Sequence, residues 1–513
     1  MAAEWASGYV TDLGYTYGFY RELTPAILQF AALTQGFESC LKPSGTINYC
    51  ELGCGQGFSA NLIAAANPEI GVYATDFNPE QISGAQRLAD VAGITNVHFF
   101  DNSFADFNAR SDLPQFDIIA LHGIYSWIAK EHRDTIIRFI DARLKPGGLV
   151  YVSYNCLPGW SGAAPMRQLM RMQAAEGSGT ISAKIDSSFA LIERLESSGA
   201  RYFKAIPDAK KRYERLKSLS KNYLAHEYLN KDWTLFYHSD VSSEMAQARL
   251  SYVASANLMD HVDQINLTSD QQSILRETAD ISKREVLRDY IINQQFRRDV
   301  FSRGAIPLSI GETRERWLNS YFALTTPGDS VSMKTKGALG EVTLQESTYR
   351  PIIEAFAKAS GAISLREVLK NKTIADLGWN RLQQAIIILV GTGHVQPCLA
   401  EAANENRRRK SAKAFNNAVI ERSQYSAELN YLASPVTGGA VSANRFEQLF
   451  LLSFNKKEED AALFVWNILK RQNQHIVKNG DALKTDDESI AEIRNKYEIF
   501  KNREPILKNI GVL

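Results

Sequence analysis

Glu51-Leu52-Gly53-Cys54-Gly55-Gln56-Gly57 lies between an apolar run and a helical pattern that begins at Ser59, and Asp76 closes the next apolar run. Glycines at alternate positions let a backbone come close to a ligand. An acid one strand–helix–strand later can hold both hydroxyls of a ribose. The spacing is G-x-G-x-G, without the third glycine that packs a helix under a pyrophosphate. A nucleoside cofactor lacking phosphate, S-adenosylmethionine, therefore fits better than NAD. In this reading Gly53, Cys54, Gly55 and Gly57 wrap the methionine portion. Glu51 reaches its ammonium directly or through water, and Asp76, followed by Phe77, takes the ribose.

On either side of this loop, strand-like and helix-like runs alternate. Thr46–Glu51, Gly71–Thr75, Asn96–Phe100, Phe116–Leu121 and Leu149–Tyr154 read as strands. Ser59–Ala66, Pro79 to about Ala92 and about Lys130 to Leu144 read as helices, and Lys145-Pro146-Gly147-Gly148 as a turn. That order predicts an α/β fold with a Rossmann-like parallel sheet, right-handed crossovers and the ligand at the carboxyl ends of the strands. After the third strand, the place of an adenine-contacting acid falls at Ser103, with Asn102 before it and Phe104 after. Ser103 can hydrogen-bond the adenine amine and Phe104 can cover the ring.

The rest of the chain reads as mainly helical. Residues 1–45 carry Trp5, Tyr9, Tyr15, Tyr17, Phe19 and Tyr20, an aromatic lid or staple. A helical insertion runs over 161–231, and the sheet resumes over 232–262 to complete a core begun at 1–160. Residues 263–330 look helical, 341–400 resemble a winged helix, and a helical tail fills 411–513. A chain of 513 residues suits two to four such domains. A net charge of +1 gives no sign of a surface that coats nucleic acid. No run of about 18 apolar residues predicts a membrane span, and Glu4 near the start argues against a secretory leader. Cys40, Cys50, Cys54, Cys156 and Cys398 form no metal-ligand spacing, so no metal and a reducing cytoplasm are expected.

Two loops choose the chemistry: His122-Gly123-Ile124-Tyr125-Ser126-Trp127 after the fourth strand and Tyr154-Asn155-Cys156-Leu157-Pro158-Gly159-Trp160 after the fifth. Neither holds the Asn-Pro-Pro-Tyr type of loop that grips planar amino groups of bases and amides. Together with His226-Glu227-Tyr228-Leu229-Asn230, Phe296-Arg297-Arg298-Asp299 and Ala433-Ser434-Pro435-Val436-Thr437-Gly438, they resemble class I methyltransferases carrying a methyltransferase regulatory domain. That family includes bacterial lysine methyltransferases of outer-membrane proteins. The resemblance implies a dimer-capable, multi-domain enzyme, with 263–330 as the regulatory domain and lysine ε-amine as one acceptor. A small molecule or glycan is the alternative acceptor, and a non-catalytic binding protein a third reading.

A lysine must lose its proton before it attacks, since its ordinary pKa is about 10.4. A dry aromatic pocket helps by disfavouring the charged form, and ring faces can meet the sulfonium. Tyr15, Tyr125, Trp127, Tyr154, Trp160 and Tyr228 are candidates to line it. Asn155 would orient the amine, and His122, Glu227 or a tyrosine hydroxyl would pass the proton on. The plainer expectations stand beside these. Trp127 and Trp160 can be core aromatics, and His122 suits a structural hydrogen bond better than a base. Arg297, Arg298 and Asp299 suit a surface or interdomain ion-pair network, and Arg407–Lys410 a solvated face.

Overall fold

The computed structural model describes residues 17–38, 47–177, 179–399, 405–478 and 481–513. Trp5, Tyr9, Tyr15, Cys40 and the start of the first expected strand at Thr46 lie outside them. The centre is a seven-stranded sheet. Its strands are β1 (Ile47–Leu52), β2 (Ile70–Asp76), β3 (Val97–Asp101), β4 (Phe116–Leu121), β5 (Leu144–Asn155), β6 (Ser251–Ser255) and β7 (Phe296–Ser302). They lie in the order β3-β2-β1-β4-β5-β7-β6. β1 to β5 pair in parallel, and β7 runs antiparallel between β5 and β6. The chain reverses its strand order between β1 and β4, which opens a crevice at their carboxyl ends.

Local chemistry sets the helix boundaries. In the helix Pro79–Ala92, the Asn78 side chain accepts from the Glu80 amide, proline fills the first turn, and Gly93 ends the helix at φ +65°. Every residue of the helix Phe58–Ala66 is buried. It is covered on its outer side by the C-terminal unit, where Phe58 stacks on Phe415 with centroids 6.3 Å apart. Alternation along the strands divides the core in two. Tyr49, Ile118, Ala120 and Tyr151 pack toward that helix, while Cys50, Ile119, Leu121 and Val150 pack on the opposite face.

Three elements differ from the sequence expectations. The Lys145–Gly148 turn lies inside β5, where the register jumps from Phe116↔Leu144 to Ile118↔Leu149. Trp233–Tyr237 is irregular apart from one bridge, Cys156↔Phe236, so the sheet resumes only at β6. The stretch 263–330 is not wholly helical: β7 is a sheet strand, and Tyr321–Leu324 is the middle strand of a separate three-stranded sheet. β7 hid because Arg297 and Asp299 break its apolar pattern. Both are buried, at 5% and 1% side-chain exposure, and neutralise one another.

That smaller sheet also holds Ile363–Ser364 and Val395–Cys398, and packs with the helices Glu346–Lys358 and Trp379–Gly391. The insertion forms five helices over 164–228 around its own apolar cluster. The Ala433–Gly438 motif is the turn of a hairpin, Tyr431–Ser434 with Gly439–Ser442. It docks on the end of the helix Phe58–Ala66, where Asn67 Nδ2 donates to the Gly438 carbonyl at 2.8 Å. Within the expected solvated run Arg407–Lys410, Arg408 instead pairs with Glu69 of the sheet domain, largely out of water. Among the described residues no helix is long and apolar enough to cross a membrane.

Candidate active site

The loop after β1 folds back on itself through its glycines. Gly53, Gly55 and Gly57 have φ of +72°, +53° and +62°, a region that side-chain-bearing residues rarely adopt. A Cβ on Gly57 would lie 2.5 Å from Ala85 Cβ and 2.7 Å from Phe99, so the backbone sits as close to its neighbours as glycine allows. The amides of Gly53 and Cys54 both donate to the Thr75 carbonyl, at 2.8 and 3.0 Å. The Gly55 amide donates to Asp76 Oδ2 at 2.9 Å, and the Asn78 amide to Asp76 Oδ1 at 3.0 Å. Asp76 is thus fixed at the end of β2 by two backbone donors. Asp76 lines the crevice, and its two oxygens keep acceptor capacity beyond these bonds for the hydroxyls of a ribose.

Glu51 lines the same crevice near the end of β1. Its Oε2 is buried and has no hydrogen-bond partner. Burial, with the Asp76 charge behind it, pushes this carboxyl up to about 8. A buried, unpaired carboxyl is costly by itself and fits an incoming ammonium. On the adenine side, Ser103 caps the helix Phe104–Ala109: its Oγ accepts from the Asp106 amide at 3.2 Å and donates to Asp106 Oδ2 at 2.7 Å. Asn102 Oδ1, next to it, is buried without a partner. Asn102 and Ser103 both line the crevice, so Asn102 Oδ1 is a further acceptor for an adenine amine beside the Ser103 hydroxyl, which keeps one lone pair. Phe77 and Phe104 both line the crevice, as Cys54 does.

Residues 50–150 match a family described as a methyltransferase domain, and residues 220–303 one described as a predicted methyltransferase regulatory domain. An uncharacterised protein of Synechocystis, sll1526, is 43% identical over 99% of this chain and 99% of its own length. The chain belongs to the S-adenosylmethionine-dependent methyltransferases that carry this regulatory domain. An uncharacterised Rickettsia prowazekii protein, RP028, is 30% identical over 36% of this chain and 74% of its own. The fold matches PKMT2 from Rickettsia typhi, solved in complex with AdoHcy, at a TM-score of 0.66. That match has 18% identity and covers 95% of this chain and 98% of that one.

Within this methyltransferase, the glycine loop, Asp76, Glu51 and Asn102 would hold the donor. When bound, S-adenosylmethionine supplies a methyl on a positively charged sulfur. Binding its ammonium favours the charged form of Glu51. Calorimetry with S-adenosylhomocysteine at pH 7 should therefore register release of close to one proton, read as an enthalpy that varies with the buffer. The release should fade above pH 9, where Glu51 is already ionised. A buffer-independent enthalpy at pH 7 would place the ammonium elsewhere.

The two acceptor-side loops distribute their residues differently from the sequence expectation. His122 and Trp127 line the crevice. His122 Nδ1 meets the Tyr151 hydroxyl at 2.8 Å. Burial, helped by Arg298, pushes its imidazole down to about 3. With its pKa that low, His122 is neutral at physiological pH and a poor proton acceptor. Tyr125, Tyr154, Asn155 and Trp160 do not line the crevice. Tyr125 faces the opposite core and donates to Glu244. Tyr154 donates to Asp299 Oδ2 at 2.5 Å. Trp160 and Tyr228 belong to the insertion's core, where the Arg212 guanidinium lies 3.6 Å above the Trp160 ring and bonds the Tyr228 hydroxyl. Asn155 is buried with its Nδ2 unpartnered. Glu227, pushed up to about 7 by burial, sits with the insertion's Arg167 and Arg212, away from the crevice.

Alternation along β5 explains part of this. Tyr151 and Ser153 point to the side of His122, where Ser153 Oγ accepts from the Gly123 amide at 2.8 Å, and Tyr154 necessarily points the other way. Lining residues to which the sequence gives no role include Gln81, His132 and Asp232. Tyr20, one of the N-terminal aromatics expected as a lid or staple, lines the crevice too. Its ring lies 3.7 Å from that of His122.

Proposed function

We propose that the enzyme transfers the methyl to a lysine side chain of a protein, in a cytoplasmic setting where its cysteines remain thiols. One observation carries this reading. The cofactor crevice is walled at Tyr20 by a residue that also lines a second cavity, more open to solvent than the crevice. An open trough beside the donor suits a side chain on a long polymer. A small acceptor is better served by a closed chamber, which keeps water away from the reacting atoms. The fold shared with Rickettsia typhi PKMT2 and its AdoHcy complex supports the donor half of the reading.

The chain's own contribution is positional: it fixes the donor, presents the amine in line with the carbon–sulfur bond and leaves the proton a way to water. The test is incubation with S-adenosylmethionine labelled in its methyl group and total cell protein. The expected result is label in protein that appears as methylated lysine after acid hydrolysis. Label confined to low-mass compounds would make the enzyme a small-molecule or glycan methyltransferase instead.

A further inference from the structure

The adenine end of the crevice draws its walls from separate stretches of chain. Asn102, Ser103 and Phe104 follow β3, Trp127 and His132 follow β4, and Asp232 follows the insertion's last helix, Lys221–Tyr228. The Phe104 and His132 rings meet edge to face with centroids 6.3 Å apart, which sets the stretch after β4 against the one after β3.

The backbone on both sides of Asp232 is tied down. Beyond it, the Thr234 amide donates to the Ser126 carbonyl at 2.8 Å, and the Trp233 ring stacks on Trp127 with centroids 6.1 Å apart. Before it, the carbonyls of Glu227 and Asn230 accept from the Arg167 guanidinium at 3.2 and 2.9 Å. That guanidinium also lies 4.5 Å from the Trp233 ring and 5.4 Å from Trp127, so one buried cation holds both sides. Trp160, from the insertion's core, meets Trp233 edge to face at 5.1 Å. The Asp232 side chain itself is half-buried at the crevice wall. No hydrogen bond or ion pair among the described residues engages its carboxylate. An acid held in place by its neighbours and left without a partner is available to a ligand.

The adenine amine carries two N–H groups. Asn102 Oδ1 or the Ser103 hydroxyl can accept one of them. The place after β3 where an acid would take the amine holds Ser103. A carboxylate on a different wall of the same crevice supplies what that place lacks.

We infer that Asp232 is the adenine-recognising acid of this enzyme and accepts the second N–H of the amine. The inference concerns the donor alone and holds whichever acceptor is methylated. An ionised carboxylate only accepts, so it selects a purine whose 6-position donates and repels one whose 6-position is a carbonyl. The helical insertion thereby becomes part of the donor site, and the Trp127, Trp233 and Arg167 stack is the strut that positions its acid.

The test uses two ligands that differ at that position: S-adenosylhomocysteine, and S-inosylhomocysteine, in which a ring carbonyl replaces the amine. Titration calorimetry on the full chain, on Asp232→Asn and on Asp232→Ala gives both dissociation constants for each. The parent should prefer the adenosyl ligand. That preference should fall roughly tenfold or more in each variant, the value of one charge-assisted hydrogen bond. The adenosyl ligand should bind more weakly, while the inosyl ligand binds as well as before or better. Asp232→Asn should narrow the gap further than Asp232→Ala, because its amide can turn an N–H toward the carbonyl. Asp232 holds no other group, so both variants should unfold at the parent temperature; should one fail to fold, the other decides. A preference equal to the parent's would overturn the inference, whether both affinities stay or fall together, since a merely structural role weakens both ligands alike. Slower methylation with the preference intact would overturn it too, and would place the carboxylate on the acceptor side.

Discussion

Replacing Asp76 by alanine is expected to weaken S-adenosylhomocysteine binding at least a hundredfold, about 3 kcal/mol. The carboxylate is the residue best placed for both ribose hydroxyls, and each charge-assisted hydrogen bond contributes about 1.5–3 kcal/mol. The same side chain also pins the glycine loop through the amides of Gly55 and Asn78. Its removal therefore loosens the surface that meets the methionine portion as well. Asp76→Asn separates the two effects. An amide oxygen still accepts one backbone bond, but the charge is gone, so affinity should fall to an intermediate value. Titration calorimetry is the measurement. An unchanged dissociation constant in Asp76→Ala would mean that the donor lies outside this crevice.

Arg297→Met is expected to cost about 3–5 kcal/mol of stability, the usual consequence of removing one partner from a buried ion network. The guanidinium reaches Asp289 at 2.6 Å, Glu285 at 2.9 Å and Asp299 at 3.0 Å, all within the protein interior. Asp299 also meets His238 Nδ1 at 3.0 Å and accepts from Tyr154. Burial alone would raise the Asp299 carboxyl, but Arg297 and His238 outweigh it and hold it at about 2. A carboxyl held below its ordinary value of about 3.9 stabilises the fold above that pH, and the contribution is lost as the pH falls toward 2. Asp289 behaves oppositely: burial already pushes its carboxyl up to about 7, and in Arg297→Met it loses its nearest cation, so the variant should lose more stability than the parent as the pH rises from 4 toward neutrality. Urea unfolding at pH 5 and pH 7 distinguishes these cases. Equal midpoints for parent and variant at both values would show that the network adds nothing net.

The placement of Tyr154 in this network also explains why a tyrosine expected at the acceptor side does not line the crevice. It follows the fifth strand's apolar run, where many acceptor-side residues sit, yet the pleat turns it away from the crevice. Tyr125 was misplaced for a related reason. It lies in a short 3₁₀ turn, Tyr125–Trp127, whose tight winding sends neighbouring side chains in different directions. Trp127 faces the crevice and Tyr125 the core, and no period in the sequence distinguishes them. Ser103 carries a second signature: a serine three residues before Asp106 is an N-cap, and capping takes up part of what its hydroxyl can bond.

The sequence by itself determined the donor half of this protein. Glycine's access to positive φ, the acid at the end of β2 and the alternation of apolar runs are local properties, so the first five strands, the loop and Asp76 could be read directly from the sequence. Tertiary structure alone decided the second cleft. Tyr20, Arg298, Gln396 and Arg503 are far apart in the sequence, and only the docking of the smaller sheet and the C-terminal unit onto the main sheet gathers them around it. It also decided that Arg297 and Asp299 are interior. A charged pair has the same sequence signature on a surface as in a core, and only the packing around it removes the water.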